Sequence, residues 1–75
     1  MKLSNAQGRM VIYLHQESFM KCGKRLSITE RWCIRNNLVY INPMPVTPDD
    51  LSGCVFRLTD YGKIIAKRLT GEMTE

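Results

Sequence analysis

The side chains of this chain that can do chemistry fall mostly between Lys21 and Arg35, where Lys21, Lys24, Arg25, Arg31 and Arg35 stand against the single acid Glu30. The full chain carries 11 basic and 7 acidic residues, so the rest of it balances six against six. By this count the whole excess of +4 lies on one loop and one helix. A one-sided basic stretch of this kind is the electrostatic footprint expected of a nucleic-acid binder, although a solvated charged face with no partner has the same composition. Trp32 sits in its middle, with Thr29 and Asn36 nearby.

Other chemistries find few parts. Cys22, Cys33 and Cys54 are widely spaced with no Cys-x-x-Cys pair, and His15 is the single histidine, whereas a zinc site needs four ligands, normally from two close pairs. Free thiols in a reducing compartment are the expectation. No Gly-rich phosphate loop, nucleophile motif or paired carboxylates are present, so no enzyme activity and no cofactor are expected. The N-terminal Met-Lys-Leu-Ser-Asn lacks the apolar core of a secretion signal, and no apolar run approaches the roughly 18 residues of a membrane span. A cytoplasmic protein is expected.

At 75 residues the chain makes one domain with a small core. Ser4-Asn5-Ala6-Gln7 is a capping box that opens a first helix running to about Gln16. Leu3, Ala6, Met10, Tyr13 and Leu14 form its expected core stripe, leaving Val11 and Ile12 outside, where they would suit a dimer contact. Gly8 marks either close packing or a locally weak helix. Residues 17–26 read as a connector.

Ser27-Ile28-Thr29-Glu30 is a second capping box, and Asn37 suits the left-handed position that ends a helix, with Leu38 folding back onto Cys33. Nine or ten residues between them should be helical. With Cys33 inward, Trp32 turns outward beside Arg31 and Arg35, yet a core tryptophan covering the helix against the hairpin is the commoner arrangement. Leu38 to Asn42 and Cys54 to Leu58 are β-rich and should pair antiparallel, joined by a loop over 43–53 with three prolines and the acids Asp49 and Asp50. Thr59 caps a last helix whose stripe is Tyr61, Ile64, Ile65 and Leu69, with Lys63 and Lys67 opposite and a stop at Gly71. Residues 72–75 are expected to fray. The class is α+β.

Helix, short basic connector, a helix ending in Asn37-Leu38-Val39, hairpin, and then Leu58-Thr59-Asp60-Tyr61-Gly62 is an order that resembles the winged helix-turn-helix domains of MarR-like and PadR-like regulators. The resemblance spans about residues 3 to 70, with Asn37 where those families often have glycine. It implies a small winged-helix domain in which helix 28–36 is the recognition element and the hairpin is the wing. Thr29, Arg31, Trp32, Arg35 and Asn36 would then face double-stranded DNA, with Lys21, Lys24 and Arg25 on phosphates. A small transcriptional regulator is the expectation, with a symmetric homodimer doubling a basic patch too small to bind tightly alone. Winged helices also serve protein contacts, so the alternative is a module that modulates a larger enzyme or transcription complex through Trp32 and the 43–53 loop.

Overall fold

A computed structural model describes residues 2–43 and 51–71. Three helices pack against a three-stranded antiparallel sheet in the order α1 (Asn5–Glu17), β1 (Met20–Lys21), α2 (Ile28–Arg35), β2 (Val39–Asn42), β3 (Val55–Leu58) and α3 (Asp60–Thr70). The strand order is β1-β3-β2, so β3 is central. Phe56 on β3 stands opposite Ile41 on one side and Met20 on the other, and it is fully buried.

Each helix begins where its capping residue stands. The Ser4 hydroxyl accepts from the Gln7 amide at 3.2 Å and the Gln7 side chain accepts from the Ser4 amide at 2.8 Å. The Ser27 and Glu30 pair repeats this at 3.1 and 2.7 Å. Two amides are thereby satisfied at the start of α1 and of α2. The α2 terminus is equally local: Asn37 takes φ 61, its N–H donates to the Ile34 carbonyl, and the Leu38 N–H donates to the Cys33 carbonyl at 2.9 Å. This is a Schellman motif, with Cys33 and Leu38 both fully buried. Helical geometry covers eight residues rather than nine or ten, because Asn36 already departs to φ −93.

The strands start one residue later than expected, since the Leu38 amide serves this cap and the Cys54 amide donates to the Leu51 carbonyl. The larger correction is β1, where a connector was expected. Met20 and Lys21 pair with Phe56 and Val55, and the Cys22 N–H extends the ladder to the Cys54 carbonyl at 3.0 Å. A two-residue strand has too few positions to show a period of two in sequence.

Two core stripes also differ. On α1 the buried residues are Met10, Val11 and Leu14, while Tyr13 is 46% exposed and Ala6 is exposed. Val11, expected outside, is completely buried, because α1 packs on α2, α3 and β3 together and so buries a wider arc than one stripe. On α3 the inward residues are Gly62, Ile65 and Ala66, whereas Tyr61, Ile64 and Leu69 are well exposed. Gly62 explains the rotation. A Cβ there would overlap the Leu38 carbonyl oxygen and lie 3.0 Å from its carbon, so the missing side chain lets α3 approach along the 62/65/66 line.

The same junction is tied by Thr59. Its hydroxyl donates to the Asn37 carbonyl at 2.5 Å and accepts from the Gly62 amide at 2.9 Å, while its own N–H donates to the Leu38 carbonyl at 3.0 Å. The end of α2 and the start of α3 thus share one set of polar groups. Gly8 has no such role, as nothing lies within 4 Å of a Cβ built there. Gly8→Ala is expected to stabilise the domain by about 1 kcal/mol, read as a raised urea midpoint.

Of the described end of the 43–53 loop, Leu51 is buried while Ser52 and Gly53 are exposed. Residues 44–50 of that loop, with Asp49 and Asp50, and the 72–75 tail lie outside the described residues.

Candidate nucleic-acid interface

The geometry of α2 follows from Cys33, its one fully buried side chain. At about 100° per residue, the positions opposite Cys33 are Ile28, Arg31 and Arg35, with Trp32 between them and the core. These four side chains line a shallow cleft of about 240 Å³. Arg31 and Arg35 are exposed, and Ile28 is 88% exposed. Trp32 is half-buried: one part packs against the core and the other forms the cleft wall. It is therefore neither a wholly buried tryptophan nor a free anchor.

Thr29 and Asn36 sit on the Trp32 flank, away from Arg31, and both are half-buried. The Asn36 side-chain NH2 donates to the Trp32 carbonyl at 2.9 Å, which ties it to its own helix end. A bidentate contact to adenine would have to be made with that amide already partly engaged. Lys24 and Arg25 are exposed in the coil before Ser27, and Lys21 is exposed on β1. Lys21 lines a different cleft, with Tyr13, Glu17, Phe19 and Met20. The structure thus gathers Arg31, Trp32 and Arg35 into one surface and sets Lys21 apart.

Glu30, the one acid of the segment, is spent on the Ser27 amide, so it is directed along the cap rather than onto the arginines. Arginine forks presented this way suit guanine edges or phosphates, and an exposed isoleucine suits a thymine methyl. Ile28 was not singled out as a site residue from sequence, although its four-residue spacing from Trp32 and its place as first residue after the cap carried the signal.

The thiols form no centre. Cys22, Cys33 and Cys54 are free, and among the described residues no group of three or more His, Cys, Asp or Glu side chains could hold a metal ion. Burial pushes the Cys33 and Cys22 thiols above their ordinary range; the nearby Cys54 adds to this at Cys22, and Glu30 adds at both. A thiol whose pKa is higher folded than unfolded stabilises the fold fully below its unfolded pKa and loses that contribution as pH rises through the folded value. The urea midpoint is therefore expected to hold through neutral pH and fall in the alkaline range, with a smaller fall in Cys33→Ala.

Among the described residues no helix is long and apolar enough to cross a membrane. What the fold and surface define is a small α+β domain of three helices on an antiparallel sheet, with an outward basic and aromatic helix face. Compared with protein-family models, curated proteins and solved structures, the chain matches none.

Proposed function

We propose that this chain is a winged-helix protein that binds double-stranded DNA with α2 as its recognition element, acting as a small transcriptional regulator. The observation that carries the reading is the outer face of α2, where Arg31 and Arg35 flank Ile28 and Trp32 with their neighbouring acid engaged in a cap. The element order, with a hairpin following α2 and a short strand completing the sheet, supports the same reading. In it Lys24 and Arg25, just before the helix, serve phosphates, and Lys21 joins them only where the duplex reaches β1. A symmetric homodimer would double this modest surface and place two half-sites about one helical turn apart. The exposed Tyr61, Ile64 and Leu69 of α3 offer apolar surface for that contact.

The test is fluorescence anisotropy with a labelled mixed-sequence duplex across a salt series. A steep fall of affinity with salt is expected, as cations on phosphates release counterions. Binding that is absent, or indifferent to salt, rejects the proposal.

The half-burial of Trp32 beside a highly exposed Ile28 favours one second reading, a protein-binding module that acts on a larger enzyme or transcription complex. Trp32→Ala discriminates. Full truncation of a buried tryptophan costs about 3 to 5 kcal/mol, so a half-buried one should cost about 2 and leave the domain folded. Duplex affinity kept in this variant, with a protein partner lost, selects the second reading.

A further inference from the structure

Counting charge along the chain leaves residues outside 21–35 balanced, yet the fold draws three of their cations together. Arg57 on β3, and Lys63 and Lys67 one turn apart on α3, line a cleft of about 290 Å³ with Leu14, Tyr40 and Leu58. His15 and Ser18 at the end of α1 add to the wall, and none of the lining residues among those described is acidic. Arg57 stands directly opposite Tyr40 in the β2–β3 register, so a guanidinium and a phenol arise from one cross-strand pair. The floor is rigid, since Leu14 and Leu58 are both core residues.

Helix-end electrostatics explain only part of this cluster, since Lys67 lies in the last turn of α3 and Lys63 does not. Like charges at i and i+4 on a helix cost a few tenths of a kcal/mol, and a third cation facing them adds to that. The α1 C-terminus at Ser18 contributes about half a negative charge and Asp60, three residues before Lys63 on α3, one more, which together fall short of balancing three positive ones. An anion would complete the balance. We infer that this cleft binds a phosphate group, held by the Arg57 guanidinium and the Lys63 and Lys67 ammonium groups with the Tyr40 hydroxyl as a further donor. A guanidinium fork matches phosphate oxygens two at a time, and two lysines suit the second charge of a terminal phosphate. The site is separate from the α2 face and does not rest on the proposal made for it.

The probe is inorganic pyrophosphate, titrated into the 15N-labelled full chain in constant chloride. Saturable shifts confined to the amides around Tyr40, Arg57, Lys63 and Lys67 are expected. Lys63→Gln with Lys67→Gln, and separately Arg57→Gln, should each weaken binding by about tenfold or more, while Arg31→Ala with Arg35→Ala leaves it unchanged. All are exposed positions, and thermal unfolding confirms that each variant is folded. Shifts that never saturate, or that spread over every basic residue, mean an adventitious ion only and overturn the inference. The source of the phosphate is read by titrating the lysine variant with duplex DNA. Unaltered duplex affinity assigns the cleft to a free small phosphate; a loss parallel to that for pyrophosphate assigns it to the DNA backbone.

Discussion

Gly62→Ala should unfold this domain more effectively than any other single methyl added to it. The new Cβ would overlap the Leu38 carbonyl oxygen and lie 3.1 Å from the Leu58 side chain, and the first obstacle is backbone that cannot rotate away. That carbonyl also accepts the Thr59 amide, so retreat breaks a hydrogen bond at the junction of α2 and α3. Overpacking typically costs 1 to 3 kcal/mol, and with that bond lost as well the expected destabilisation is about 3 kcal/mol or more. For a domain of this size, with a small total stability, that shifts the thermal midpoint by about 12 to 24 °C. Circular dichroism melts of both proteins measure it. A shift under about 4 °C would show that α3 can slide, and the Gly62 contact would no longer explain why Tyr61 and Ile64 face outward.

Loss of DNA binding without loss of fold is the expected result for Arg31→Ala combined with Arg35→Ala. Both side chains are exposed and opposite Cys33, so the thermal midpoint should stay nearly unchanged. Each good arginine contact to a guanine edge is worth about 1 to 3 kcal/mol, and the pair together should lower duplex affinity by about a hundredfold or more. The salt series then separates their roles. Arginines on phosphates would lower the salt slope by about 0.9 each, whereas arginines on base edges would leave the slope and flatten the preference between sequences. Lys24→Ala and Arg25→Ala serve as the comparison, with a uniform, modest loss across sequences. Duplex affinity indifferent to the arginine pair would remove α2 from any role in DNA binding.

Features legible in the sequence were those whose causes lie within about five residues. Ser4 with Gln7, Ser27 with Glu30, and Thr59 with the Gly62 amide each make contacts three residues apart. They start their helices wherever the rest of the chain goes. Asn37 ends α2 for the same reason, its left-handed φ closing bonds to carbonyls three and five residues back in the cap. The orientation of α2 was nearly legible too, because that cap buries Leu38 on Cys33 and thereby turns Ile28, Arg31 and Arg35 outward.

Tertiary structure alone decided the rest. β1 exists because β3 offers it an edge, and its two residues carry no signal of their own. Val11 is buried and Tyr13 is not because α1 serves three neighbours, which the 10/13/14 and 10/11/14 spacings cannot distinguish. The cationic cleft joins residues 15, 57, 63 and 67 from three elements, so a running charge count sees only balance there. Caps and periodicity are written in short-range hydrogen bonds, and the sequence states them. Which face is covered, and which charges meet, depends on long-range packing, and only the folded chain settles that.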